Sequence, residues 1–147
     1  TLQTVYEYDG FSILWEHATG IDNGNYGRNH GISFIGNNGT LVLDRNGWEV
    51  IAEKDKMQSI TLQQNQGNGL DKHTVNFIEA VKSRDASKLK APLKVGYDAA
   101  LVCHMGNIAF KTGNRIYWDD YEGRFLDDSS NALINAHYHN GWELPRG

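Results

Sequence analysis

The sequence predicts an α+β domain: an open, mostly antiparallel β-sheet with helices packed on one face. Two patterns lead there. The first half alternates apolar and polar residues at period two between glycine- and asparagine-rich turns, and the second half repeats its apolar residues at helical spacing. Strands come first and helices after, without the strand–helix–strand alternation of a doubly wound parallel sheet.

The elements follow in chain order. Leu2, Thr4, Tyr6 and Tyr8 alternate with more polar neighbours, Asp9-Gly10 supplies a two-residue turn tolerant of positive φ, and Phe11, Ile13 and Trp15 resume the alternation, so the chain opens with a hairpin. After Glu16 the pattern breaks into HATGIDNGNYGRNHG, with four glycines and three asparagines. A connection of that length in a compact domain is often a functional loop. ISFI, the turn GNNG, TLVLD, the turn RNG and WEVIAE then make a three-stranded meander from Ile32 to Glu53, and SITLQ adds a further strand.

A first helix is expected from about Asp71 to Arg84, with Phe77, Ala80 and Val81 on one stripe, Asp71 placed to cap or complement its amino end, and Asp85 and Ser87 ending it. A second helix lies within VGYDAALVCHMGNIAFKTG, closed by Gly113 just after Lys111. It carries two apolar stripes, Ala99, Val102, Cys103, Gly106 and Phe110 on one, Tyr97, Leu101, His104 and Ile108 on the other, which predicts cover on both sides. RIYWD reads as one more strand, and Asp127 or Asp128 as the cap of a short third helix containing Leu133 and Ile134.

With 147 residues the chain has the size of one domain (residues 1–147), able to bury roughly 70% of its unfolded surface. Its 39% hydrophobic and 22% charged residues belong to a soluble globular protein. The net charge of −4 and the scattered lysines and arginines give no footprint for nucleic acid. No run approaches the roughly 18 apolar residues of a membrane span, so no membrane partner is expected. The single cysteine, Cys103, sits among small apolar residues and reads as a buried hydrophobe rather than a nucleophile or disulfide partner. The chain begins at Thr1 already in strand-like alternation, which reads as a fragment of something longer or a processed product.

Most candidate chemistry fails on spacing. GNGLDK, Gly67 to Lys72, has Lys72 where a dinucleotide fingerprint needs its third glycine, and no parallel βαβ context surrounds it. His137 and His139 form an H-x-H pair without an evident third metal ligand. No G-x-S-x-G elbow exists, and Asp119-Asp120 and Asp127-Asp128 fall beside turns, where acids cap or solvate. Trp15, Trp48, Trp118 and Trp142 are expected mostly in the core. The long loop is the best local candidate: Tyr26, Arg28 and His30 place a phenol, a guanidinium and an imidazole within five residues, suited to a polyhydroxylated or anionic small molecule.

Taken in order, HGISFIGNNGTLVLDRNGWEV, HTVNFIEAVKSRD, VGYDAALVCHMGNIAFKTGNRIYWD and NALINAHYHNGWELP resemble the carboxy-terminal domain of the glucose-fructose oxidoreductase, inositol dehydrogenase and MocA-like (Gfo/Idh/MocA) family, over nearly the whole chain. The resemblance implies a parent enzyme in which an amino-terminal Rossmann domain binds NAD or NADP and supplies the catalytic lysine. The second domain then walls the pocket for a sugar, polyol or derivative and forms homo-oligomer contacts through its open sheet face. The chain departs from the family's full pattern: it has no Rossmann fingerprint, no E-K-P (the nearest string is Glu53-Lys54-Asp55) and no D-x-x-x-H, so no catalytic, cofactor or metal residue is assigned to it. The expectation is a domain inert alone, with His73 and Asn76 of the first helix as satisfied polar groups. Two rivals stand beside it, a non-catalytic carbohydrate-binding or dimerisation module and a redox-dead relative kept as a scaffold. Both a cytoplasmic and a periplasmic location fit.

Overall fold

A computed structural model of the chain describes residues 1–135 and 138–143. It shows an α+β fold with open, antiparallel sheets. The residues gather into two compact units, one of residues 1–17 with 91–147 and the other of residues 18–90.

In the first unit β1 (Leu2–Tyr8) and β2 (Phe11–His17) form the expected hairpin, with Tyr8 opposite Phe11 and Leu2 opposite His17. The register places Thr4, Tyr6, Ile13 and Trp15 on one face. Tyr8 and Phe11 close its end as a stacked pair, ring centroids 4.7 Å apart. The helix Leu93–Thr112 packs on β1 through an unusual socket. Gly106, buried in that helix, leaves room for Tyr6, whose hydroxyl donates to the Val102 carbonyl at 2.9 Å. Burial of the Tyr6 phenol pushes its pKa up, which keeps it a protonated donor. Ile108 is buried on the same helix, while Tyr97 and Phe110 are exposed. Cys103 is exposed, not buried; the hairpin's Tyr6 meets the helix at Gly106 and the Val102 carbonyl.

The same unit ends in a small knot. A two-residue ladder joins Trp118–Asp119 to Arg124–Phe125, shorter than the strand RIYWD promised. Phe125 is buried edge-on against Trp118 at 5.0 Å. The third helix is one turn, Asp128–Asn131, capped by Asp127, whose Oδ1 accepts from Ser130 N at 2.8 Å. Leu133 and Ile134 lie beyond it in turns.

In the second unit the meander and its extra strand make a four-stranded sheet in sequence order: β3 (Ile32–Ile35), β4 (Gly39–Leu43), β5 (Gly47–Ala52) and β6 (Ile60–Gln64), all antiparallel. The register puts Ile32, Phe34, Leu41, Leu43, Trp48, Val50 and Ile60 on one face. None of these seven is buried, and Phe34 is 59% exposed. The opposite face holds Val42, 2% exposed, with Glu49 directly across from it.

The helix α1 (Gly69–Ser83) begins two residues earlier than expected because Asn68, not Asp71, is its cap: Asn68 Oδ1 accepts from Leu70 N at 2.9 Å, and Asp71 contributes its charge to the first turn. Arg84 ends it in a left-handed conformation, φ 54°. Asn76 is the satisfied polar group expected, donating to Lys88 O at 2.8 Å and accepting from Lys90 N at 2.9 Å, which ties the helix to the turn after it. His73 is exposed. Of the four tryptophans, Trp15, Trp48 and Trp142 are exposed rather than in a core.

Candidate functional site

The long loop is built around Arg28. Its guanidinium forms two ion pairs, Nη1 to Asp44 Oδ2 at 2.7 Å and Nη2 to Glu49 Oε1 at 2.6 Å. Asp44 stands at the end of β4, where it also organises the turn into β5: its Oδ1 accepts from Asn46 N at 2.6 Å and Gly47 N at 3.1 Å. One carboxylate thus fixes a tight turn and a distant loop together. The Arg28 and Asp44 side chains are only 12% and 6% exposed. The hydrogen bond from Arg28 holds the Asp44 carboxyl below its ordinary pKa, and the bonds to Glu49 and Asp44 push the Arg28 guanidinium further up. Both terminal nitrogens of Arg28 are engaged in these pairs, so the group is committed within the fold, with its Nε buried and unpartnered.

Two glycines allow the loop to close on itself and on the sheet. A Cβ at Gly24 would stand 2.6 Å from the Arg28 carbonyl, which accepts from Gly24 N at 3.1 Å; one at Gly31 would stand 2.6 Å from the Leu43 carbonyl. Between them Tyr26 is held in the left-handed region, φ 59° and ψ 26°, and the residue is 45% exposed. A bulky residue there is strained by about 1–2 kcal/mol, and such strain persists where the surroundings over-determine it.

The three residues marked by sequence therefore separate. Arg28 points into the fold, Tyr26 is displayed on the loop, and His30, exposed, pairs through Nδ1 with Asn29 Oδ1 at 2.6 Å. Of the three, His30 alone lines an open cleft of about 470 Å³, together with Gly31, Ile32, Leu43, Asp44, Arg45 and Asn65. Asn65 joins the wall to the β4–β5 turn, donating through Nδ2 to the Arg45 carbonyl at 3.3 Å and through its backbone N–H to Asn46 O at 2.7 Å. A second open cleft, about 370 Å³, lies at the other end of the sheet between Phe34, Leu41, Val50 and Met57 and the Gly36–Gly39 turn; no charged side chain lines it.

Sequence reading missed Asp44, Arg45, Glu49 and Asn65. The signal for Asp44 was present in Asp44-Arg45-Asn46-Gly47, an acid two residues before Asn-Gly, the pattern of a side-chain-stapled turn. No signal paired it with Arg28.

No group of three or more His, Cys, Asp or Glu side chains among the described residues is arranged to hold a metal. His137 of the H-x-H pair lies outside the described residues. No described helix is long and apolar enough to cross a membrane. Compared with protein-family models, with curated proteins and with solved structures, the chain gives no match.

Proposed function

We propose that this chain is the substrate-side, carboxy-terminal domain of an NAD(P)-dependent oxidoreductase of the Gfo/Idh/MocA kind acting on sugars, polyols or their derivatives. In that reading a Rossmann domain elsewhere in the parent protein binds the nicotinamide, and this chain contributes part of the pocket wall and of the subunit interface. The cofactor accepts or donates the hydride; the residues here bind and orient.

The observation that carries the reading is the uncovered apolar sheet face of Ile32, Phe34, Leu41, Leu43, Trp48, Val50 and Ile60. Such a face is rare on a self-sufficient monomer and marks a surface that another body covers. The amount is large. The chain exposes 12632 Å² at 16.5 kDa. Two separate compact bodies of half that mass would expose about 9,100 Å². Whatever the placement of the two units, an excess of about 3,500 Å² of exposed surface remains.

The test is nicotinamide binding and turnover by the full-length protein. Titration with NADH and NADPH, followed by a panel of sugars and polyols, should give cofactor binding and substrate-dependent reduction of NAD(P)+. A full-length protein that binds neither nicotinamide refutes the oxidoreductase reading. The same uncovered face favours a second reading, a non-catalytic dimerisation or carbohydrate-binding module; dimerisation with sugar binding and no nicotinamide binding is its signature.

A further inference from the structure

We infer that Asn38-Gly39, in the turn between β3 and β4, is a self-modification site at which the chain converts its own asparagine to isoaspartate and aspartate. This stands independently of the oxidoreductase reading. The sequence contains five Asn-Gly pairs, at 23–24, 38–39, 46–47, 68–69 and 140–141. Each is a candidate, because a glycine after asparagine leaves the following amide nitrogen unhindered in reaching the side-chain carbonyl. The fold engages the reacting atoms at three of them. Gly24 N donates to Arg28 O at 3.1 Å, Gly47 N donates to Asp44 Oδ1 at 3.1 Å, and Asn68 holds its Oδ1 on Leu70 N at 2.9 Å as the cap of α1. Asn140-Gly141, beside residues outside the described range, stands apart from this ordering. Asn38-Gly39 is open at both reacting atoms. Gly39 lies across from Ala52 as a pair whose own amides do not bond, the ladder bond running instead from Glu53 N to Asn38 O at 2.9 Å. On its other side Gly36 N donates to Gly39 O at 3.0 Å, with no return bond from the Gly39 amide. The Asn38 side chain is exposed and makes no hydrogen bond among the described residues.

The reaction needs only water. The Gly39 nitrogen, its proton passed to hydroxide, attacks Asn38 Cγ; the N–Cγ bond forms, the Cγ–Nδ2 bond breaks, and Nδ2 leaves as ammonia with a proton taken back from water. Water then opens the resulting succinimide ring. Addition at Cγ gives aspartate, and addition at the main-chain carbonyl carbon gives isoaspartate, whose side-chain carbon has joined the backbone. The step is intramolecular, and Asn38 is not one of the seven apolar residues of the uncovered face, so no partner is required for it. Either product puts a carboxylate into the cleft lined by Phe34, Leu41, Val50 and Met57, where no charged side chain stands beforehand. Isoaspartate also adds a main-chain atom beside Asn38 O, the acceptor of Glu53 N, in the turn that sets the β3–β4 register.

Ageing of the protein at physiological temperature, from neutral to mildly alkaline pH, tests the assignment when followed by peptide mapping with mass spectrometry and by isoaspartyl methyltransferase labelling. The peptide bearing Asn38 should gain isoaspartate and aspartate at least about fivefold faster than those bearing Asn23, Asn46 or Asn68, the factor that one ordinary hydrogen bond is worth. Its rate should rise with pH. In urea, where the fold no longer engages the other sites, all four should converge to similar rates. Asn38→Gln should remove the label from this peptide, because the longer side chain must close a larger ring, and should leave the other three rates unchanged. Asn38 reacting no faster than Asn23 and Asn46, a selectivity that persists in urea, a rate independent of pH, or a label that survives Asn38→Gln would overturn the assignment.

Discussion

Gly106→Ala tests how the Leu93–Thr112 helix is seated on the hairpin. At an exposed site in a helix interior, alanine in place of glycine stabilises by about 1 kcal/mol. Gly96, in the same helix with nothing within 4 Å of an added Cβ, is that kind of site. Gly106 is not: its Cβ would fall deep inside contact with the Tyr6 hydroxyl and at 3.4 Å from Thr4 Oγ1 and Tyr6 Cζ. The hydroxyl must retreat by about 1 Å to reach ordinary contact distance. That movement stretches its 2.9 Å bond to Val102 O beyond use, a loss of about 1 kcal/mol, and displaces packed neighbours at about 1–3 kcal/mol. Set against the propensity gain, Gly106→Ala should destabilise by about 1–3 kcal/mol while Gly96→Ala stabilises, read as opposite shifts of the urea midpoint at constant slope. Tyr6→Phe removes the clashing oxygen, so Gly106→Ala on that background should cost about 1 kcal/mol or less. A Gly106→Ala protein as stable as Gly96→Ala would refute the socket.

Other outcomes follow from the remaining contacts. Because Asp44 has a folded pKa below its ordinary value, its contribution to stability is complete above that ordinary value and is lost as pH falls through the folded one; the urea midpoint of the parent should therefore drop below about pH 4, and Asp44→Asn, less stable at neutral pH, should show a flatter acid limb. Asn68→Ala should destabilise α1 by about 1 kcal/mol and Asn68→Asp by much less, measured as amide exchange rates in its first turn. On the proposed reading, in which the uncovered sheet face forms a subunit contact, Phe34→Lys should raise the dissociation constant for self-association at least tenfold in sedimentation velocity, whereas an unchanged constant would remove that face from the interface.

The local elements were legible because their causes are local. Asp9-Gly10 between two alternating runs sets the hairpin and its register, and GNNG and RNG do the same for the meander. The cap of α1 was displaced by one turn because Asn68 and Asp71 both carry suitable side chains, and only backbone geometry tells which one accepts the amide. The ladder after Arg115 shrank to Trp118–Asp119 because its partner strand, Arg124–Phe125, offers only two residues. The loop was recognised as special from its glycines and asparagines, yet the destination of each polar group within it was not.

Composition and periodicity by themselves determined the α+β class, the order of strands and helices, and the existence of a long polar loop carrying Tyr26, Arg28 and His30. Tertiary structure alone decided that Arg28 is spent on Asp44 and Glu49, that His30 meets Arg45 and Asn65 at a cleft, that Cys103 and three tryptophans are exposed, and that one sheet face stays bare. The division has a physical origin. Turn chemistry and side-chain period act over a few residues and are written in the order of the chain, whereas ion pairing and burial depend on which distant side chains the sheet brings within about 4 Å, a quantity no local pattern contains.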